Sequence, residues 1–405
     1  MLHTRGEQML ALRYARMAAA PAFLRGGFRP FFFGGALWAV VALTLWVLAL
    51  AGAIQLPTTL DAFAWHRHEM LFGFVGAVIA GFLLTAIPNW TGRLPIAGAP
   101  LAALVALWVV GRISVLFSSE VGIAIAAPID VSFYLVLAAL AAREVLASRN
   151  RNLPVVLLVL LLGAANATDH LGAAGIIADP DLGWKIALAL IILMISLIGG
   201  RIVPSFTRNW LVKQSVRDGL PAQPTRFDMA VIGATALAFL AWILAPAGWL
   251  TGGLLALAAT GQTVRLARWK GWKTFSDPLV LVLHVGYAWV PIGLALLAAV
   301  ELGAPIPRSA AIHALTAGAM ATMILAVMSR ATLGHTGREL QAGAATRIAF
   351  VLVTSGAILR VIAPMGLLDY RVGMEVAAMA WVGAFLLFLA YYGPILLTPR
   401  IDGKL

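Results

Sequence analysis

The chain has no cysteine among its 405 residues, and only 11% of them are Asp, Glu, Lys or Arg. Without thiols there is no disulfide, no iron–sulfur cluster, no thiolate-held metal and no cysteine nucleophile. Any metal must be held by His, Met, carboxylate or water. Soluble domains carry about a quarter charged residues, so this deficit, with 61% hydrophobic residues, excludes soluble and disordered classes alike. Phosphate-binding GxxxxGK[ST] loops, GxGxxG fingerprints and HExxH zinc motifs are absent too, so the chain carries no sign of ATP, dinucleotide or zincin chemistry.

What is present is apolar sequence in long runs. Spans of ~20 residues cross a bilayer, and twelve such runs follow one another near 31–53, 65–87, 98–117, 122–146, 153–170, 183–204, 227–246, 249–268, 278–299, 309–332, 345–363 and 371–397. The expected fold is therefore all-α: a polytopic bundle of about 12 transmembrane helices filling 31–397. Residues 1–30 read as a basic cytoplasmic tail rather than a cleaved signal, because no apolar core precedes a small-residue cleavage site. Residues 398–405 form the other tail.

Net charge is +12, which in a soluble protein would suggest nucleic acid. With twelve spans, however, 23 of the 29 basic residues fall on one side of the membrane. That asymmetry places both termini in the cytoplasm and removes nucleic acid as a partner; the bilayer is the partner.

An internal repeat is visible. TAIPNWTGR, RIVPSFTRN and RATLGHTGR end the second, sixth and tenth spans, and aligning Thr91, Thr207 and Thr336 superposes His68, Trp184 and His313. Pro30, Pro154 and Pro278 recur at equal spacing. Three four-helix units follow, at about 31–147, 153–269 and 278–397.

Ionisable groups inside spans are costly and point to function. WHRHEMLFGF (65–74) is the densest cluster. His66 and Glu69 are i, i+3 and share a helix face, while His68 points elsewhere. Imidazole is the commonest ligand for haem, copper and zinc; two histidines solvating a helix start is the plainer alternative. His313 at the matching place in another repeat favours ligation. Arg112 and Arg360 lie inside spans and need anions. Asp130, Asp169 and Glu375 are protein partners at similar depth, and haem propionates are the other source. His284 shares a helix face with Tyr287, and His335 follows the tenth span. Met320 and Met323 could ligate soft copper, although core packing explains them better.

RPFFFGG (29–35), WHRHEMLFGFVGAVIAGFLLTAIPNWTGR (65–93), LHVGYAWVP (283–291) and HALTAGAMATMILAVMSRATLGHTGR (313–338) closely resemble the NnrS family of bacterial membrane proteins. The resemblance implies haem and copper, twelve spans, a link to denitrification and nitric oxide, and the inner membrane. It resembles the central subunit of haem–copper oxidases and nitric oxide reductases in helix count, but that superfamily's adjacent-histidine pair is missing. On this footing the expectation is a haem b protein reducing nitric oxide to nitrous oxide, fed by a quinol or cytochrome, with a nitric oxide sensor or a transporter as rivals. His68 and His313 are the expected haem ligands, with Arg112 and Arg360 on propionates. His66 is an alternative ligand or copper candidate, Glu69 and Asp169 are proton relays, and His284 and His335 are candidates for a second metal.

Overall fold

The computed structural model describes residues 11–403 apart from 13, 16 and 151. The basic residues Arg5, Arg13, Arg16, Arg151 and Lys404 of the topology argument, and His3, lie outside the described residues.

Every expected span coincides with a helix. These are α1 (Phe28–Leu50), α2 (Ala62–Thr91), α3 (Ala99–Leu116), α4 (Ile123–Ala147), α5 (Leu153–Ala173), α6 (Leu182–Lys213), α7 (Arg226–Leu244), α8 (Trp249–Arg268), α9 (Pro278–Glu301), α10 (Arg308–His335), α11 (Ala344–Met365) and α12 (Tyr370–Leu397). Among the described residues there is no strand. Eleven of the helices are long and apolar enough to cross a membrane, so the chain is a multi-pass helical membrane protein. The exception is α8, whose 20 residues include Thr251, Thr260, Gln262, Thr263, Arg265 and Arg268. Its length is sufficient, but these polar side chains lower its hydropathy below that of the others.

Helix starts follow local chemistry. Asp61 caps α2 by accepting from the amides of Phe63 and Ala64, and Asp277 does the same for Leu279 and Val280 at the start of α9. Pro154 and Pro278 occupy first-turn positions, where the missing N–H has no helical partner to lose.

Three helices depart from α geometry. A π-helical stretch interrupts α2 at Glu69–Phe74, α6 at Ile195–Gly199 and α10 at Ala314–Met320. In α2 and α10 it starts directly after the aligned histidines, His68 and His313. Aligned Thr91, Thr207 and Thr336 also behave alike, each donating its hydroxyl to the carbonyl four residues earlier, at 2.8, 2.9 and 2.6 Å. Such π segments are frequent at functional sites, because the extra residue re-aims the side chains around it.

The chain forms two compact units. One runs up to Ala187, with Ala331–Glu339 and the segment from Leu389 on, and so contains α1–α5. The other is Leu188–Arg330 with Leu340–Phe388, containing α7–α9, α11 and most of α6, α10 and α12.

Candidate functional site

In the first unit, α2, α3, α4 and α5 each send polar side chains to one buried place. The π segment of α2 sets it up. Its irregular backbone leaves carbonyls unmatched, and neighbours satisfy them: Tyr134 of α4 donates to the Phe72 carbonyl at 2.6 Å, and the Trp108 indole of α3 donates to the Gly73 carbonyl at 3.0 Å. Gly73 and Gly76 make the approach feasible. A Cβ at Gly73 would collide with Glu69 Oε2, Trp38 Nε1 and Arg112 Nη1, and one at Gly76 with the Tyr134 hydroxyl.

His68 and Glu69, adjacent in sequence, are both fully buried. They face different partners. Glu69 Oε2 accepts from Trp38 Nε1 of α1 at 2.7 Å and from Arg112 Nη1 at 2.7 Å. His66 turns the same way as Glu69, towards α1, where its ring stacks on Trp46 with centroids 3.9 Å apart. His68 points instead to α4 and α5, as its helical phase requires. Its Nδ1 is 2.8 Å from Asp169 Oδ2, and its Nε2 is 2.9 Å from Asp130 Oδ2.

Asp130 is the convergence point. Besides His68, its Oδ2 meets His170 Nε2 at 3.0 Å and Asn166 Nδ2 at 2.8 Å, while Oδ1 is paired with Arg112 Nη2. Asn166, Asp169 and His170 stand at i, i+3 and i+4, so one face of α5 delivers all three. The rings of His68 and His170 are 4.6 Å apart. Ligand atoms of His68, Asp130 and His170 all lie within 4.8 Å of one another.

The electrostatics are unbalanced. Three buried carboxylates, Glu69, Asp130 and Asp169, face a single guanidinium, Arg112. Buried polar atoms are also left over: Glu69 Oε1, Asp169 Oδ1, Asn166 Oδ1, His170 Nδ1 and Arg112 Nε lack hydrogen-bond partners among the described residues. Buried groups of this kind are costly unless a partner joins them.

The structure thus brings His68, Glu69, Arg112 and Asp169 together with Asp130, expected only as an anion for Arg112, and adds two residues absent from the expected set, Asn166 and His170. The N-A-T-D-H run of α5 carried the signal, since its i, i+3, i+4 spacing is legible without coordinates. Arg112 pairs with protein carboxylates, one of the two anion sources the sequence left open. Glu375 does not serve Arg360; it pairs with the exposed Arg371 at 2.8 Å.

The remaining candidates have other partners. In the second unit the His284 ring nitrogen Nε2 is 2.8 Å from the Thr207 hydroxyl, which donates to Val203, so the imidazole is the donor. Its Nδ1 is buried without a partner among the described residues. Its helix-face neighbour Tyr287 donates to Gln262 at 2.6 Å and accepts from Arg265 at 2.8 Å. His313, half-buried, donates Nδ1–H to the Ser309 carbonyl at 2.7 Å. Arg360 is half-buried with Nη1 unpartnered among the described residues. His335 belongs to the first unit, where its ring lies 5.5 Å from that of Phe28 and borders a cavity of about 140 Å³ with Arg25, Arg29 and Arg400. Those arginines are occupied by backbone carbonyls: Arg29 by those of Leu396 and Thr398, Arg25 by that of Ala20, and Arg400 by that of His335 itself.

A protein-family model described as NnrS protein matches residues 22–400. No curated protein matches the chain.

Proposed function

The chain belongs to the NnrS family, and from that membership we propose that it is a membrane-bound oxidoreductase that consumes nitric oxide. Membership fits a membrane protein linked to nitric oxide metabolism. The reaction proposed joins two nitric oxide molecules into nitrous oxide, taking up two electrons and two protons and releasing water. A quinol or a cytochrome would supply the electrons, and the inner membrane of a bacterium would be the setting. With all twelve helices crossing, both termini are cytoplasmic, and the matching π segments and threonine bonds of α2 and α10 support the repeated four-helix units.

The observation that carries this reading is the buried cluster of α2–α5. Nitric oxide reduction requires protons in an apolar interior, and here acid and imidazole alternate within hydrogen-bond distance, in the order Asp169, His68, Asp130, His170. Such a chain can hold a proton and pass it on. Arg112 fixes the far side by bridging Glu69 and Asp130.

Haem b and copper are the cofactors this family reading brings with it. The residues around His68 do not fit a haem: both ring nitrogens face carboxylates, and Arg112 is committed to Glu69 and Asp130 instead of being presented to propionates. We therefore propose no axial-ligand role for His68. His313 fits better. Its Nδ1–H bond to the Ser309 carbonyl leaves the lone pair on Nε2, the tautomer that a ligating imidazole needs. A haem held at His313 would supply a redox iron able to coordinate a diatomic gas.

The test is turnover of isotopically labelled nitric oxide by the purified, reduced protein, read by mass spectrometry. Labelled nitrous oxide is the expected product. Binding without product would favour a sensor, and neither binding nor product would sink the proposal.

A further inference from the structure

We propose that His68 Nε2, His170 Nε2 and Asp130 Oδ2 bind one divalent transition-metal ion within the first unit, with Asp169 and Arg112 orienting the ligands. This deepens the nitric oxide reading, on which it rests for its chemistry though not for its ion; with the ion bound, Asp169 Oδ1 and Glu69 Oε1 are the acceptors left to hold a proton.

Spacing is the first argument. Metal–ligand bonds of about 2.0–2.1 Å place neighbouring ligand atoms roughly 2.9 Å apart at right angles and roughly 3.4 Å apart at tetrahedral angles. Asp130 Oδ2 stands 2.9 Å from one imidazole nitrogen and 3.0 Å from the other. Three atoms from three helices thus already hold two edges of a coordination polyhedron, meeting at Asp130 Oδ2.

Hydrogen positions supply the second. A carboxylate only accepts, so the His68–Asp169 contact takes the Nδ1 hydrogen of His68. In neutral His68 the Nε2 lone pair then points at Asp130 Oδ2, oxygen lone pair against nitrogen lone pair. Either a second proton on His68 or a cation between the two atoms makes that arrangement attractive, and Co²⁺ titration separates the two. The Asp169–His68 pair is also the carboxylate–imidazole arrangement that supports metal-ligating histidines.

Charge is the third argument. With neutral histidines, three carboxylates and one guanidinium leave two negative charges in a buried, membrane-spanning place. A divalent ion cancels them. The second unit offers a contrast: buried Arg265 meets Asp228, Ser196, Gln262 and Tyr287, and Arg268 pairs with the same Asp228, so the one carboxylate is already outnumbered by cations.

The donor set selects the ion class. Two imidazoles and one carboxylate, with no sulfur, suit Fe²⁺, Co²⁺, Cu²⁺ or Zn²⁺ over the all-oxygen sites of Mg²⁺ and Ca²⁺. Three protein ligands also leave coordination positions open, as a site for a small ligand requires.

The experiment is elemental analysis of the purified full-length protein, followed by chelator treatment and titration with Co²⁺ monitored by its visible d–d absorption. One metal ion per chain beyond any haem iron is expected as isolated, and one equivalent of Co²⁺ after stripping. His170→Ala and Asp130→Asn should lose the Co²⁺ spectrum, while His284→Ala keeps it. A wild-type protein that carries no non-haem metal and takes up no Co²⁺ overturns the site, and would instead fit a pair of protonated histidines. Full Co²⁺ binding by folded His170→Ala and Asp130→Asn overturns the ligand assignment. If those variants fail to fold, the wild-type titration still decides. Nitrous oxide formation is read separately, so a metal-loaded but inactive protein rejects the reaction and spares the site.

Discussion

His68 and Asp169, 101 residues apart in sequence, share a buried hydrogen bond of 2.8 Å from Nδ1 to Oδ2 that fixes the tautomer and orientation of the imidazole. If His68 is a metal ligand, Asp169 acts through it. Loss of such a supporting carboxylate typically weakens metal affinity by about 10–100-fold. Asp169→Ala should therefore lower Co²⁺ affinity within that range, and Asp169→Asn by less, since its amide oxygen can still accept the Nδ1–H. The titration that reports Co²⁺ binding checks both; unchanged affinity in Asp169→Ala would remove Asp169 from this role.

The glycine of the π segment is the next point of attack. Gly73→Ala puts a methyl group onto Glu69, Trp38 and Arg112, and overpacking of this kind costs about 1–3 kcal/mol. A lower melting temperature in detergent and a loss of bound metal are expected together. Gly253→Ala in α8, where a Cβ meets nothing within 4 Å, should instead raise the melting temperature and leave the metal bound, because alanine is the better helix former by about 1 kcal/mol. Equal melting temperatures for the two variants would contradict the steric account.

Arg265 in the second unit gives a stability prediction without a functional one. Its guanidinium lies against Asp228 at 3.0 Å, and both are buried. Removing one partner of a buried ion pair costs about 3–5 kcal/mol, because the other charge is stranded. Arg265→Met should thus destabilise, by less than that full range because Arg268 still pairs with Asp228 at 3.2 Å, while leaving one non-haem metal ion per folded chain. Asp228→Asn together with Arg265→Met should recover part of the loss, which a double-mutant cycle would measure.

Topology turns on α8. With no native cysteine, single substitutions report sidedness cleanly. If α8 crosses, Gln214→Cys and Ile401→Cys should resist an impermeant thiol reagent in intact cells, and Ser309→Cys should react. If α8 does not cross, the sides exchange after it: Ser309→Cys becomes protected and Ile401→Cys labelled, placing the two termini on opposite faces.

Much of this protein was legible as a string. Hydropathy alone gives the membrane class and the place of every helix, because crossing hydrocarbon demands ~20 apolar residues whatever they pack against. The same arithmetic treats α8 as one more span, and only its polar composition distinguishes it from the other eleven. The helical phase of His66, His68 and Glu69 is likewise local. One turn decides that His66 and Glu69 look towards α1 and His68 away from it.

Partners are not local, and there the string stops. Arg112 needed an anion, but whether that anion was a carboxylate or a propionate depends on which helices stand beside α3. The fold brings Glu69 and Asp130 to it. Asp130 was one acid among several in sequence; its weight comes from His68, Asn166, His170 and Arg112 meeting it from three other helices. Composition fixed that charges buried here must be few and functional. Only tertiary packing decided which of them share one site, because a buried charge is stabilised by whatever lies within a few ångströms, and sequence separation carries no information about that distance.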